Sequence, residues 1–488
     1  MKTCVKFLSL LMGLIILILI FSCERKTSPA NPNLAPNTTL ANIPVKDDTL
    51  FALVTLHWDG EDNDGFIAGY QYRYITHHIF VGDSLIHDWV DTKETSVTIP
   101  FESSDSLNFQ RFQVRAIDNT GNIDPVPAER QFYTVQTIFP ETEILFPENN
   151  RQFFAIEQTT DWWEGVQLTF DARDADGEVV EYAWAVDDNE WNWTLDTSLF
   201  ITPDNFIPLD GEHVLRVTSR DNTNLVDPIG DTVTVKLVEP TFEKKILIID
   251  ETIEAQFPFG MGFTDEEVDA FYAEIFGTDE SWDFQSDGMP SKEYLGQYQL
   301  IVWHADNTYT NENDVHKLPD HIIDIMDYLN VGGDFIMSGW RILKSFAVAE
   351  SFPKTFQQGS FIHDYLHIIT ADESAPIADF NGAYSTDSTR FSDIDVDVTK
   401  LAESFLTSVP IVGLPYVNVV VKRAGFTDAI YRYRNDDYTG IPTHRGYPCG
   451  LRYYGTSFDA IVLGFPMFFI EKEDAKKMGS EMIHSLGY

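Results

Sequence analysis

Polar side chains that could carry chemistry follow a series of apolar runs in the C-terminal half of the sequence. Lys245–Asp250, Gln299–Trp303 and Phe335–Met337 are predicted to be buried parallel strands, because nearly every position in them is apolar. Ligands of open α/β sheets bind beyond the carboxyl ends of the strands. We therefore predict a ligand-binding crevice from the residues at or just after those ends, which are Asp250, His304, Asp306, Ser338 and Arg341.

Two kinds of function are open to this crevice. Ser, His and Asp on neighbouring strand ends can form a nucleophile, a base and an orienting acid, which would make a hydrolase that uses Ser338 and His304. The alternative is binding without catalysis, with Ser338–Gly339 as a tight turn and Asp250 as the cap of the next segment. We prefer binding, because nothing in the sequence places a carboxylate behind His304, and we assign no catalytic residue.

Acidic residues also recur in the turns of the N-terminal half. Carboxylates combined with Asn side chains and backbone carbonyls suit calcium, which takes six to eight oxygen ligands. Ordinary Asp-Gly turns and solvated acids are the alternative, because the spacing is not that of an EF-hand. The residues proposed for calcium are Asp62, Asp64, Asp118 and Asp124 in a first set, and Asp174, Asp176, Asp221 and Asp227 in a second.

The acidic turns lie between short segments in which apolar and polar residues alternate. Phe51–Trp58, Tyr70–Tyr74 and Phe112–Ile117 alternate apolar and polar positions and are rich in β-branched and aromatic residues. Turn residues separate them at short intervals. A period of two with frequent turns is typical of an antiparallel β-sandwich.

The same landmarks then return in order, which indicates an internal repeat. Trp58, Asp64-Gly65 and Tyr70 are followed 112 positions later by Phe170, Asp176-Gly177 and Tyr182, and the Asp118–Asp124 turn returns as Asp221–Asp227. The second offset is 103, so the first copy has a longer middle segment, which we place at His77–His87. We predict two tandem sandwiches, 36–138 and 139–239, whose pattern resembles fibronectin type III and related immunoglobulin-like modules.

Residues 240–488 have a different pattern, in which apolar strands alternate with helices at Thr264–Phe276, Ile322–Leu329 and Lys472–Leu486. This pattern predicts a mostly parallel sheet covered on both faces. A strand ending in Trp303, a Gly332-Gly333 turn, a strand ending in Met337-Ser338-Gly339 and a late Gly464-Phe465-Pro466 together resemble the class I glutamine amidotransferase-like fold. The resemblance covers roughly 243–488, with a less regular insertion near 368–428.

That resemblance implies a doubly wound, flavodoxin-like sheet but no glutaminase. The family's reaction needs a Cys nucleophile on a strand-to-helix turn and a His after a later strand. Ser338 stands where the resemblance would place the Cys, and Phe465-Pro466 occupies the position of the His. Cys449 lies elsewhere and is expected to pack as a small apolar residue.

The first residues of the chain predict its location. Lys2 and Lys6 precede an apolar run, Phe7–Phe21, which has the length of a secretory signal and is shorter than a membrane-spanning helix. Ile20-Phe21-Ser22-Cys23 resembles the cleavage box of bacterial lipoproteins, which implies a signal peptide at 1–22 and a lipidated Cys23. Residues 23–35 are rich in Pro, Asn, Ser and Thr and are expected to form a flexible tether.

The charge of the whole chain bears on which classes of molecule it can bind. The chain of 488 residues has 33 Lys and Arg against 77 Asp and Glu, a net charge of −44, so nucleic acid is not expected as a partner. The attachment to the membrane would depend on the acyl chains of Cys23. Trp162-Trp163 and Trp191-x-Trp193 are either sugar-stacking surfaces or parts of the sandwich core, and we favour the core.

These observations lead to one overall expectation. The fold class is two all-β sandwiches followed by a doubly wound α/β domain that is flavodoxin-like and amidotransferase-like. The function is that of a cell-envelope lipoprotein that binds a glycan or an envelope protein without catalysis. The alternatives are a hydrolase that uses Ser338, and a structural spacer stiffened by calcium.

Overall fold

The structure is a computed structural model that describes residues 32–41, 49–79, 81–101, 108–135, 138–175, 177–253, 262–307, 316–374, 380–402, 413–435 and 444–488. The predicted signal peptide, Cys23, the first part of the tether and Asp176 lie outside the described residues. None of the helices within the described ranges has the length and apolar character needed to cross a membrane.

The first sandwich pairs a three-stranded sheet with a five-stranded sheet. The order in the smaller sheet is β1-β3-β6, and the order in the larger is β2-β8-β7-β4-β5. The strands are β1 (Asn37–Ala41), β2 (Thr49–Phe51), β3 (Leu53–Glu61), β4 (Ile67–His78), β5 (Ser84–Thr92), β6 (Ser96–Pro100), β7 (Asn108–Asp118) and β8 (Ala128–Val135).

The second sandwich repeats this arrangement strand for strand. Its sheets have the orders β14-β11-β9 and β10-β16-β15-β12-β13. The strands are β9 (Glu141–Phe146), β10 (Arg151–Phe154), β11 (Val166–Arg173), β12 (Val179–Val186), β13 (Asn192–Thr194), β14 (Ser198–Ile201), β15 (Gly211–Asp221) and β16 (Asp231–Val238). A short 3-10 helix, Pro203–Asn205, follows β14.

The repeat extends to unusual details of the topology. In each copy the short second strand pairs in parallel with the last strand, β2 with β8 and β10 with β16. The β4–β5 hairpin has strands of 12 and 9 residues, whereas the matching strands β12 and β13 have 8 and 3. The extra length of the first copy therefore lies in this hairpin.

Alternating side chains form the core between the sheets of the first sandwich. Leu56, Trp58, Phe112 and Phe132 are buried and belong to one hydrophobic cluster. The rings of Trp58 and Phe112 lie 6.0 Å apart. Burial of large aromatic side chains of this kind is a main source of stability in a domain without disulfides.

The C-terminal region contains a nine-stranded sheet of order β18-β17-β19-β20-β28-β27-β26-β23-β24. The first five strands in this order run parallel to one another, and the remaining neighbours pair antiparallel. The strands of this sheet are β17 (Lys244–Asp250), β18 (Ser281–Asp283), β19 (Tyr298–Ala305), β20 (Asp334–Gly339), β23 (Gly382–Ser385), β24 (Ile394–Asp395), β26 (Thr427–Arg434), β27 (Pro448–Tyr454) and β28 (Asp459–Leu463).

A separate three-stranded antiparallel sheet has the order β21-β22-β25. Its strands are β21 (Lys354–Thr355), β22 (Ile368–Glu373) and β25 (Asn418–Lys422). The predicted mostly parallel sheet is thus parallel in one half only. The segment expected to be a less regular insertion, 368–428, contains strands of both sheets, and these strands were not predicted because they are short and interrupted by loops.

Helices pack on both faces of the nine-stranded sheet. Ile246 and Ile248 of β17 share a core with Tyr272 and Met478, whereas Leu247 lies in the opposite core with the helix that starts at Ile322. The helices are α1 (Asp265–Phe276), α2 (Phe284–Asp287), α3 (Lys292–Leu295), α4 (Ile322–Asn330), α5 (Ile342–Ser345), α6 (Phe361–Asp364), α7 (Val398–Ala402) and α8 (Lys472–Leu486). The 3-10 helices of this region are Leu318–His321 and Met467–Phe469.

Helix α1 has well-formed ends. The side chain of Thr264 accepts a bond from the Glu267 backbone, and the Glu267 side chain accepts one from the Thr264 backbone, a reciprocal capping box. Gly277 closes the helix with a φ of 65°, a conformation that favours glycine. These ends fix the rotation of α1 and hence the residues that it turns toward the sheet.

The chain forms two compact units. The first comprises the described parts of Met1–Thr142 together with Ala172–Tyr182 and Thr218–Gly230. The second comprises Glu143–Asp171, Ala183–Val217 and the described parts of Asp231–Tyr488. The nine-stranded sheet lies within the second unit.

Candidate functional site

Three of the predicted crevice residues form a row across adjacent parallel strands. Asp250 of β17 is the register partner of His304 of β19, which in turn is the partner of Ser338 of β20. His304 and Ser338 therefore lie within their strands rather than after them. Residues in one such row point to the same face of a sheet, so their side chains are brought together.

His304 is held by two carboxylates. Its Nδ1 lies 2.9 Å from Oδ2 of Asp306 and 3.3 Å from Oδ1 of Asp250. All three side chains are buried. The sequence analysis found no carboxylate behind His304, and that interpretation was wrong, because the turn after β19 folds Asp306 back onto the imidazole.

Tyr272 of α1 completes this buried group. Its ring stacks on that of His304 with centroids 3.6 Å apart and an interplanar angle of 7°. Its hydroxyl donates to Oδ1 of Asp306 at 3.1 Å, and the backbone N–H of Phe468 donates to the same oxygen at 3.1 Å. Both oxygens of Asp306 are therefore engaged by described neighbours, which fixes the plane of the imidazole.

The electrostatics favour a charged His304. Burial alone would lower the pKa of His304, but the carboxylates of Asp250 and Asp306 outweigh it, and the pKa lies above its usual value. Burial raises the pKa of Asp250, and the nearby His304 opposes that shift. The two carboxylates thus stabilise the cationic form of the His304 imidazole and fix its orientation.

Two further acids reach this site from α1. Oxygens of Asp265, Asp269 and Asp250 lie within 4.8 Å of one another. Burial, followed by the charges of Asp250 and Asp269, raises the pKa of Asp265 to about 7, and burial and Asp250 also raise the pKa of Asp269. Three carboxylates at this distance can share protons or hold a cation.

Asp265 and Asp269 were not among the predicted crevice residues, although the helix that carries them was predicted. Asp265, Asp269 and Tyr272 lie at positions i, i+4 and i+7, so they share one face of α1. The spacing was visible in the sequence. What the sequence did not show was that this polar and aromatic face, rather than an exposed one, turns toward the strand ends.

Ser338 is not arranged as a nucleophile. Its side chain is fully buried, and its hydroxyl donates to the carbonyl oxygen of Phe465 at 3.0 Å. Within the described residues, Nε2 of His304 has no hydrogen-bond partner, while Nδ1 faces Asp306 and Asp250. Neither imidazole nitrogen therefore bonds the Ser338 hydroxyl in the part of the chain that the structure describes.

Arg341 is turned away from the other predicted residues. Its guanidinium forms two hydrogen bonds with Glu373 of β22, at 2.7 and 3.1 Å, and lies 4.7 Å from the ring centre of Tyr416. The backbone of Arg341 has a φ of 63°, in the left-handed region. Arg341 joins the start of α5 to the smaller sheet, and the structure does not bring it to His304.

A second buried acid follows Asp250 and was also missed. Glu251 is 1% exposed, and its carboxylate accepts bonds from the indole N–H of Trp303 at 2.8 Å and from the backbone N–H of Lys317. Burial raises the pKa of Glu251 to about 7 despite these donors. Glu251 anchors the segment after β19 to the strand ends and lies outside the acid group around Asp250.

Two acidic turns of the first sandwich meet, because the turn before β4 bonds the turn after β7. The backbone N–H of Phe66 donates to Oδ1 of Asn119 at 3.1 Å, and Leu34 donates to Asp64. Oδ1 of Asp118 accepts from the backbone of Thr120 and Asn122. The predicted calcium residue Asp124 accepts from the backbone of Thr38 and Val126.

The second copy uses its acids in the same way. Oδ1 of Asp221 accepts from the backbone of Thr223 and Leu225. Asp227 accepts from the backbone of Thr142 at 2.9 Å and of Ile229 and Gly230 at 3.0 Å. Asp174 lies beside Gly177, where an added Cβ would come within 2.4 Å of its carboxylate. The backbone bonds give Asp118, Asp124, Asp221 and Asp227 a structural role that requires no ion.

The tryptophan pairs are at the surface, and our preference for the core was wrong. Trp162, Trp191 and Trp193 are 39%, 41% and 41% exposed. The core tryptophan of the first sandwich is Trp58, on β3. The alternating pattern of apolar residues did not separate buried from exposed tryptophans, because the Trp162-Trp163 pair lies between β10 and β11 rather than on a strand.

Comparisons with known proteins find partial similarity to several solved structures. No family model and no curated protein matches the chain. Among solved structures, fibronectin(III)-like modules of Clostridium thermocellum CbhA are 14% identical, covering 41% of this chain and 94% of that one, with a TM-score of 0.19. The chicken CNTN1 FN1–FN3 domains are 12% identical, covering 42% and 65%, with a TM-score of 0.19.

A phage protein gives a similar result. Three N-terminal domains of the bacteriophage RB49 highly immunogenic outer capsid protein are 13% identical, covering 44% of this chain and 64% of that one, with a TM-score of 0.19. We therefore assign the two sandwiches from their own strand order and pairing. The chain is a tandem β-sandwich protein with a C-terminal nine-stranded mixed sheet.

Proposed function

We propose that the protein is a lipid-anchored component of the bacterial cell envelope that binds a ligand without catalysis. In this proposal Cys23 carries the lipid, residues 23–35 form the tether, and the two sandwiches carry the C-terminal domain. The ligand is a glycan or an envelope protein. Nucleic acid is not expected as a partner, because the net charge of −44 repels a phosphate backbone.

The observation that carries the non-catalytic assignment is that, within the described residues, no hydrogen bond joins the Ser338 hydroxyl to His304. A serine nucleophile needs a base within hydrogen-bond reach, about 2.6–3.2 Å. The Ser338 hydroxyl instead donates to the carbonyl oxygen of Phe465, and in the part of the chain that the structure describes Nε2 of His304, the nitrogen that would accept the serine proton, has no hydrogen-bond partner. The buried hydroxyl of Ser338 is therefore an ordinary structural donor.

The finer fold assignment belongs to the same proposal. Parallel strands β17, β19, β20 and β28 with helices on both faces support a flavodoxin-like and amidotransferase-like ancestry for the C-terminal domain. The glutaminase chemistry of that family is not expected. Cys449 is 1% exposed, and burial raises the pKa of its thiol well above the usual value, so it is an inert core residue.

An assay of turnover tests this proposal against the hydrolase alternative. Purified full-length protein and the Ser338→Ala variant are incubated with p-nitrophenyl acetate and with a p-nitroanilide. We expect both proteins to leave the background rate unchanged. Hydrolysis by the parent protein that is lost in a correctly folded Ser338→Ala variant would establish the hydrolase and overturn the proposal.

A further inference from the structure

A groove in the second compact unit contains a concentration of aromatic side chains. It has a volume of about 490 Å³, within the range of roughly 300–1,000 Å³ that is usual for small-ligand sites. Its lining includes Phe146, Arg151, Trp162, Trp163, Gln167 and Phe200, and we call this the aromatic groove. It is separate from the buried group around His304.

The aromatic faces of the groove are accessible. Trp162 is 39% exposed and Phe200 is 46% exposed. The turn that carries the tryptophans is fixed, because the backbone N–H of Trp163 donates to Oγ1 of Thr160 at 3.0 Å and Thr160 donates to the Trp163 carbonyl at 2.8 Å. Large aromatic side chains that remain exposed on an ordered turn are available for a ligand.

Polar groups alternate with these rings. The guanidinium of Arg151 lies 4.8 Å from the ring centre of Phe146 and bonds Glu148 at 2.9 Å. Gln167 is the cross-strand partner of Phe200 on β11 and β14, and its side chain is exposed. In the described part of the chain, the buried Nε of Arg151 has no hydrogen-bond partner, which leaves one guanidinium donor unsatisfied beside the groove.

The walls of the groove are held by the cores beneath them. Phe154 of β10 is buried in the same hydrophobic cluster as Leu295 and Tyr328. Ile323 and Asp327 of α4 form part of the lining, and Asp327 pairs with Lys292 at 2.9 Å. A groove between packed elements keeps its shape without a ligand, which lowers the entropic cost of binding.

We propose that the aromatic groove binds a short oligosaccharide. A sugar ring has an apolar C–H face, which stacks on an aromatic side chain, and a rim of hydroxyls, which bond guanidinium, carboxylate and amide groups. Arg151, Glu148, Asp327 and Gln167 supply those groups beside the rings. The two carboxylates and the strongly negative chain disfavour a polyanionic ligand. This inference rests on the proposed binding function and identifies its ligand class and site.

Binding of soluble sugars to the full-length protein in detergent tests the inference. The probes are cello-, xylo-, malto- and chito-oligosaccharides, and the readouts are tryptophan fluorescence and isothermal titration calorimetry. We expect saturable binding of at least one series. Trp162→Ala should weaken it about tenfold, and Gln167→Ala, which changes an exposed side chain and keeps the fold, about threefold.

Trp191→Ala is the matched control, since Trp191 is equally exposed and lies outside the groove lining. It should bind like the parent protein. Absence of binding in all four series, equal weakening by Trp191→Ala, or tighter binding of a proline-rich peptide would overturn the inference. None of these binding results bears on whether Ser338 is a nucleophile. A failure of the oligosaccharide proposal is therefore distinguishable from a failure of the non-catalytic assignment, which the hydrolysis assay tests.

Discussion

Nδ1 of His304 lies 2.9 Å from Oδ2 of Asp306, and both side chains are fully buried. The carboxylates hold Nδ1 of His304, while within the described residues Nε2 has no hydrogen-bond partner and the Ser338 hydroxyl donates to Phe465, so the imidazole is not arranged as a base for Ser338. The same pair also stabilises the domain. A charged imidazole without its carboxylate would be costly in this environment.

We therefore expect Asp306→Asn to destabilise the protein strongly. The amide removes the negative charge beside His304, and its N–H group faces either the His304 imidazole or the two donors Tyr272 and Phe468. The expected loss is about 3 kcal/mol of unfolding free energy, measured by denaturant melts. The exposed Asp320→Asn is the control and should change stability by less than about 0.5 kcal/mol. An equal effect of the two variants would contradict the buried pair.

The acids of α1 predict a pH dependence. Burial and neighbouring charge raise the pKa of Asp265 to about 7 and also raise that of Asp269. A raised folded-state pKa contributes stability that is present below the ordinary value, about 4, and is lost as the pH rises toward 7. Because both side chains are half-exposed, the combined effect should be at most about 1 kcal/mol.

Thermal melts between pH 5 and pH 8, on either side of the Asp265 pKa of about 7, measure this dependence. The protein should be more stable at the lower pH, and Asp269→Asn should flatten the profile by stabilising the protein at the higher pH. Glu266→Gln, on the exposed face of α1, is the control and should leave the profile unchanged. A parent profile that rises with pH and an Asp269→Asn profile that follows it would refute the assignment.

The repeated acids predict a structural effect. Asp227 accepts backbone bonds from Thr142, Ile229 and Gly230, so Asp227→Ala leaves three donors without an acceptor. We expect a loss of about 2 kcal/mol, seen as a lower melting temperature. The loss should be the same in calcium and in chelator, because these bonds need no ion.

The calcium hypothesis predicts a different result in the same experiment. Binding of calcium to the folded state would raise the melting temperature, by an amount that grows with concentration. Asp64→Ala would then reduce the gain. If the melting temperatures in calcium and in chelator are identical, the calcium hypothesis is wrong and the acids of both sets serve as hydrogen-bond acceptors.

The lipid anchor is tested by fractionation of cells that express the protein. The parent protein should be found with membranes, and Cys23→Ser should move it to the soluble fraction or leave it as an uncleaved precursor. Cys449→Ser changes a buried cysteine and should stay with the membranes. Partitioning of Cys23→Ser into detergent like the parent, after signal removal, would contradict the lipoprotein proposal.

Local pattern predicted much of this fold. The repeat was visible because the Asp118–Asp124 turn returns as Asp221–Asp227, and in both copies the last of these acids accepts a backbone bond from the first strand, at Thr38 and at Thr142. The helix Lys472–Leu486 was predicted with its observed bounds, because its apolar spacing is regular. The antiparallel half of the large sheet was missed, since strands such as Ile394–Asp395 are too short to show a period.

Of the candidate site, only the residues at the ends of the parallel strands could be predicted from the sequence. Asp250, His304 and Ser338 could be aligned because parallel strands end at one edge. The contributions of Asp265 and Asp269 depend on how α1 rotates against the sheet, which is a matter of packing. The pairing of Arg341 with Glu373 depends on a second sheet that the sequence did not reveal.

The most direct test of the central claim is the reaction of Ser338 with a fluorophosphonate, followed by intact-mass and peptide mass spectrometry. A serine that is activated by a base is phosphonylated rapidly, whereas an ordinary hydroxyl is not. Our account predicts no mass increase at Ser338 in the native protein, because its hydroxyl is buried and donates to Phe465. Stoichiometric modification of Ser338 that is absent in Ser338→Ala would contradict it.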